Sequence, residues 1–159
     1  MPRLMASFEV LPQSASVSEP VLWSHYADKH RGVAFEISHT KDPEMLVKIR
    51  YTDERPILDP LRVNETGYVR SIVEHLIRQK SLGWKYEQEY RVYINLTGCD
   101  MAGGFYFKQI PPTMLRRVIL GYECQLEEDY VRRALNKRGF LSAQVVRAQM
   151  CLKSYSILA

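Results

Sequence analysis

The chain has 159 residues, 46% of them apolar and 25% charged, with a formal net charge of +4. That is the size and balance of one globular domain with a substantial core. The longest apolar runs are a few residues, far from the roughly 20 that a bilayer-spanning helix needs, and the first twenty residues lack the apolar core of a signal peptide. A cytoplasmic protein without a membrane partner is therefore expected.

Residues 1–17 read as an irregular or extended lead-in, and 18–159 as the core of a single domain. "SEPVLWSHYADKHRG" has the marks of a helix: Ser18 as cap, Glu19 and Pro20 in the first turn, Gly32 as stop. Leu22, Tyr26, Trp23 and Ala27 would form its buried stripe. "GVAFEIS" alternates as a strand does, "MLVKIRY" reads as a second strand, and "TDERPILDPLRVNETG" as a loop. The clearest helix is 65–80, where Val69, Ile72, Val73, Leu76 and Ile77 recur every three or four residues.

A strand over 88–96 follows, then a turn around "GCDMAGG", a strand "FYFKQI", and a short turn leading into an apolar strand at 117–121. "LEEDYVRRALNKRG" is an amphipathic helix closed by Gly139, and the tail offers one or two more strands. The order of elements predicts an α+β domain: a mixed or mostly antiparallel sheet with three main helices packed on it.

From Lys108 onward nine Lys/Arg stand against four Asp/Glu. They are scattered over a helix and two strands without interleaved aromatics, so a solvated face is expected and not a nucleic-acid interface. Cys99, Cys124 and Cys151 are widely spaced and odd in number, matching neither a metal pair nor a disulfide framework, and the histidines give no zinc pattern. No metal site is expected from them. The G-x-S-x-G, P-loop and G-x-G-x-x-G signatures are absent.

Two constellations carry chemistry. In "YEQEYRVYIN", strand alternation would put Tyr90, Val92, Ile94 and Leu96 on one face and Glu87, Glu89, Arg91, Tyr93 and Asn95 on the other. Glu87 and Glu89 would then project together, about 6–7 Å apart at the usual rise, with Arg91 able to pair with Glu89. Such a pair serves either as a solvated ion-pair face or as a catalytic carboxylate pair, with Trp84 and Tyr86 offering flat surfaces for a base or nicotinamide. In "LWSHYADKHRG", His25 and Asp28 are three apart on the expected helix, the spacing of an oriented general base or of a satisfied buried histidine. A metal-dependent nuclease using Asp28, Glu87 and Glu89 as oxygen ligands, with Lys85 beside them, is a third reading.

Three motifs together resemble a bacterial family known as domain of unknown function 2971. Trp23, His25, Tyr26, Ala27, His30 and Gly32 fill its first motif; Lys80, Trp84, Tyr86, Glu87, Glu89 and Arg91 its second; Val118, Ile119 and Gly121 its third. The resemblance covers about Leu22 to Arg138. A histidine–tyrosine element with a Glu-x-Glu is similar in turn to ADP-ribosyltransferases. That analogy implies Glu89 as the catalytic carboxylate, Glu87 as its partner, and Tyr26 or Trp84 as the ring that stacks the nicotinamide. His25 joins the candidate catalytic residues, and Arg91 and Asp28 join Tyr26 and Trp84 as candidate substrate-binding residues. NAD would be the cofactor and a small nucleotide the partner. Family members usually carry a further N-terminal segment before the His-Tyr helix, which this chain reaches after about twenty residues. A surface left uncovered by that segment would favour a homodimer. The competing reading is a non-catalytic binding or assembly module whose motif residues form a structural polar network.

Overall fold

A computed structural model describes residues 4–9, 17–38, 46–92, 99–107, 109 and 111–159. At its centre lies a four-stranded mixed sheet, ordered β1 (Leu4–Glu9), β2 (Val33–Ser38), β9 (Leu115–Leu120), β10 (Gln144–Arg147). β1 runs parallel to β2, β2 antiparallel to β9, and β9 parallel to β10. The extended lead-in is thus partly a strand, with Leu4 opposite Val33 and Phe8 opposite Ile37. The α+β class and mixed sheet are as expected.

β9 explains why the core has two halves. Val118, Ile119 and Leu120 are all buried, as in a central strand covered on both faces. Ile119 joins Leu22, Trp23, Ala27, Ala34, Ala148 and Ile157 beneath helix α1 (Pro20–Tyr26). Val118 and Leu120 join Val33, Ile37, Leu115 and Val145 on the other face, where Val131 and Leu135 of α3 (Glu128–Lys137) pack. Each such side chain contributes roughly 1.5–3 kcal/mol when fully buried. Glu36 and Arg117, register partners on β2 and β9, form an ion pair.

α1 is shorter than expected. Glu19, not Ser18, caps it, accepting from the Val21 amide at 3.3 Å. It ends at Tyr26, six residues before Gly32, because Asp28, Lys29 and His30 all adopt positive φ (48°, 53° and 68°). This left-handed turn is closed by Gly32 N donating to Ala27 O at 2.7 Å. Gly121 at the end of β9 lies against it. A Cβ there would sit 1.9 Å from the His30 carbonyl oxygen, so only glycine permits the approach.

The "MLVKIRY" stretch divides into β3 (Leu46–Lys48) and β4 (Arg50–Tyr51), separated by buried Ile49. β3 pairs antiparallel with β6 (Tyr90–Val92), and β4 pairs parallel with β5 (Gln79–Lys80). Between β4 and β5 runs α2 (Tyr68–Ile77), the core of the helix expected over 65–80. None of its residues is buried. β7 (Asp100–Ala102) and β8 (Phe105–Phe107) form a hairpin turned by Gly103 and Gly104, both at positive φ. β11 (Gln149–Met150) and β12 (Ile157–Leu158) close the chain. Among the described residues no helix is long and apolar enough to cross a membrane.

Candidate functional site

The strand expected over 88–96 begins later, at Tyr90, and residues 93–98, with Tyr93, Ile94, Asn95 and Leu96, lie outside the described residues. Leu82–Glu87 forms a 3-10 helix, and Gln88 follows at φ 46°. Glu87 and Glu89 are therefore not neighbours on one strand face; Glu87 closes a helical turn and Glu89 leads into β6. The left-handed Gln88 nevertheless turns both carboxylates toward one cation, Lys80.

Lys80, on β5, is the centre of the cluster. Its ammonium pairs with Glu87 Oε2 and lies 3.4 Å from Glu89 Oε2. It also sits 4.8 Å from the centre of the Trp84 ring, a cation–π contact. Glu87 is only 7% exposed, and its second oxygen accepts a 2.6 Å hydrogen bond from the Tyr26 hydroxyl. Glu89 is held by Arg91, with Nε donating to Oε1 at 2.6 Å and Nη2 to Oε2 at 3.2 Å. Arg91 Nη1 donates in turn to the Ile77 carbonyl at 2.8 Å, and the Glu89 amide donates to the Tyr51 hydroxyl at 2.7 Å.

These contacts set the ionisation. Burial works to raise the Glu89 carboxyl, but the Arg91 guanidinium and then Lys80 outweigh it and hold the group below its ordinary value. Burial likewise works to lower Lys80, and the two glutamates more than reverse it. The Tyr26 phenol is raised, first by burial and then by the Glu87 carboxylate it serves, so it stays a donor. Tyr51 is raised mainly by burial.

His25 is exposed at the last turn of α1, its ring edge-on to Trp84 with centroids 5.9 Å apart. Trp84 adjoins Tyr86 at 6.0 Å. Of the residues singled out in the sequence, His25, Tyr26, Trp84, Glu87, Glu89 and Arg91 thus form one contiguous cluster. Asp28 lies apart from that reading. The helix ends before it, the i,i+3 spacing with His25 is not realised, and its carboxylate is bound by Arg31 at 3.0 Å. Tyr26, expected in a buried stripe, is 39% exposed and turned to Glu87. Among the described residues no three His, Cys, Asp or Glu side chains are grouped so as to hold a metal ion, so the nuclease reading finds no site there.

Lys80 and Tyr51 join the cluster beyond the candidate residues that the sequence singles out. Lys80 was visible as a motif position, since a lysine seven residues before a buried glutamate is a natural counter-ion. Tyr51 gave no signal, because its role depends on β4 and β5 lying side by side.

The sheet and this cluster define an α+β domain that carries a paired-charge network at the junction of α1 with the 80–91 segment. Residues 22–92 match the model of the family described as Protein of unknown function (DUF2971). The match contains the first two motifs whole; Val118–Gly121 lies outside it. Neither the curated proteins nor the solved structures give a significant match.

Proposed function

We propose that this chain is a non-catalytic binding and assembly module in which Tyr26, Lys80, Glu87, Glu89 and Arg91 form a structural polar network. One observation carries the reading: all four carboxylate oxygens of the glutamate pair accept from protein donors. A general base working near neutral pH needs a raised carboxyl, and Glu89 is shifted the other way. A carboxylate that stabilises a ribosyl cation needs its charge turned to substrate, and here Arg91 and Lys80 already neutralise it. The donor set therefore fits NAD chemistry poorly.

Assembly would involve α2. Val69, Val73 and Leu76 fall on one stripe of that helix and are 45%, 47% and 53% exposed. A second copy of the chain, related by a two-fold axis, would cover this stripe with its own. Sedimentation at rising concentration should show a dimer that Val73→Glu abolishes. A monomer throughout would overturn the assembly part of the reading.

The second reading is a nucleotide-utilising, ADP-ribosyltransferase-like enzyme of cytoplasmic location. It is favoured by the convergence of His25, Tyr26, Trp84, Glu87 and Glu89, with flat rings beside two carboxylates. Titration calorimetry of NAD into wild type and a Glu87→Gln/Glu89→Gln variant separates the two. Under the module reading the variant is less stable, and any heat of NAD binding is unchanged in the folded variant. Heat that vanishes in a variant still folded by circular dichroism would overturn it in favour of the enzyme.

A further inference from the structure

Ile49, 2% exposed, points into the protein between β3 and β4, so its neighbours Lys48 and Arg50 project outward. β4 lies beside β5 with Arg50 opposite Gln79, and the Arg50 amide donates to the Arg78 carbonyl at 2.9 Å. The end of α2 brings His75 to the same place. Lys48, Arg50, His75, Arg78 and the Gln79 amide thereby line an open cleft of about 430 Å³.

The cleft is positive and its donors are unspent. Its one carboxylate, Glu74, is engaged by Arg70 at 3.0 Å. Among the described residues, the side chains of Arg50, His75 and Arg78 make no hydrogen bond or ion pair, and Lys48 only lies 5.8 Å from the Tyr90 ring centre. The C-terminal end of a helix favours nearby cations. Here its carbonyls are occupied by backbone amides and by Arg91: His75 O and Leu76 O by Arg78 N, and Ile77 O by Arg91 Nη1. The helix end thus gathers the cations without consuming their side chains.

Two guanidinium forks and an ammonium suit the several oxygens and multiple charge of a phosphoryl group better than a single carboxylate. The volume falls within the roughly 300–1,000 Å³ of small-molecule sites. The basic face lies across α2 from the Val69–Val73–Leu76 stripe, so a ligand there and a second copy on the stripe would not compete.

We infer that the cleft between β4 and the end of α2 binds a small phosphorylated molecule through a phosphoryl or pyrophosphate group, held by Lys48, Arg50 and Arg78. This goes beyond the module reading by naming the class of its ligand.

The test is calorimetry in phosphate-free buffer with inorganic pyrophosphate, ATP, adenosine and a short oligothymidylate. Pyrophosphate and ATP should bind and adenosine should not. Arg50→Gln/Arg78→Gln should weaken pyrophosphate about tenfold or more, since each change removes a charge-assisted contact. Its melting temperature should be unchanged, because among the described residues these side chains hold nothing in the fold. The Glu87→Gln/Glu89→Gln variant should bind pyrophosphate as wild type does, which separates failure here from failure of the module reading. Absence of pyrophosphate binding would overturn the inference. So would equal affinity in the arginine variant, or binding of the oligothymidylate alone.

Discussion

The Tyr26 hydroxyl donates a 2.6 Å hydrogen bond to Glu87 across 61 positions of sequence, tying the end of α1 to the turn that precedes β6. It is a direct bond between the two motifs that the sequence shows far apart. Tyr26→Phe removes the donor and leaves one oxygen of a buried carboxylate without it. The expected loss is about 1–3 kcal/mol of unfolding free energy, the cost of an unsatisfied buried acceptor. Denaturant unfolding measures it, and a variant as stable as wild type would show that α1 does not need this tie.

Lys80 serves both glutamates, and a variant that removes it should behave unlike one at a surface pair. Lys80→Met leaves the Glu87 carboxylate, 6% exposed, without its cation. Breaking a buried pair from one side costs about 3–5 kcal/mol; the partial exposure of Lys80 puts the expectation at the low end. Arg70→Ala, at the solvent-exposed Arg70–Glu74 pair, should cost about 0.5 kcal/mol or less. Adding Glu87→Gln to Lys80→Met should restore part of the loss, because the orphaned charge goes with it. Thermal or urea melts of wild type, Lys80→Met, Glu87→Gln and the double variant, with Arg70→Ala beside them, give the comparison, and additivity of the two changes would rule out the coupling.

How far these relationships were legible follows from their range. The hydrophobic period marked β2, β9, α2 and α3, because those signals lie within a few residues of each other. The two glutamates and Arg91 were legible as a charged group, and Arg91 does pair with Glu89 as their spacing suggested. Their geometry was not, since alternation assumes a continuous strand and one left-handed residue, Gln88, breaks it. The early end of α1 is hidden for the same reason: Asp28 and His30 are types that tolerate positive φ, but no sequence signal marks three such residues in a row. What compels that turn is the approach of β9, a contact between segments ninety residues apart. β1 gives no strand signal of its own because its pairing with β2 is parallel and non-local. The exposure of α2 was equally out of reach, since amphipathicity shows that a face wants covering and not whether anything described covers it.

Gly121 gives the sharpest test of the turn at the end of α1. Its missing Cβ leaves room for the His30 carbonyl, and Gly121 N also donates to Gly32 O at 3.0 Å. In Gly121→Ala the new methyl would meet backbone atoms only, at 1.9 Å and 2.6 Å from His30 and 3.1 Å from Gly32 O. No side chain can move aside, so β9 or the turn must shift. A loss of about 3 kcal/mol or more is expected. Gly83→Ala is the control, since nothing lies within 4 Å of its would-be Cβ, and it should change stability by about 0.5 kcal/mol or less. Equal melting temperatures for the two variants would show that the turn tolerates displacement.

The ionisation of Glu89 adds a dependence on pH that a neutral substitution should erase. In the unfolded chain this carboxyl titrates near its ordinary 4.5; in the fold, Arg91 and Lys80 prevail over burial and hold it lower. Between those two values the unfolded chain binds more protons than the folded one, so unfolding becomes easier as pH falls through that window. Above the ordinary value the contribution is fully present, and below the folded value it is gone. Urea titrations from pH 6 down to pH 3 should therefore show stability falling below about pH 4.5. Glu89→Gln should be less stable at pH 6 and decline less steeply on acidification, because its amide keeps hydrogen-bonding capacity without a titrating charge. Parallel declines in the two proteins would place the acid sensitivity in other carboxylates and leave the Glu89–Arg91 pair with no net stabilising role.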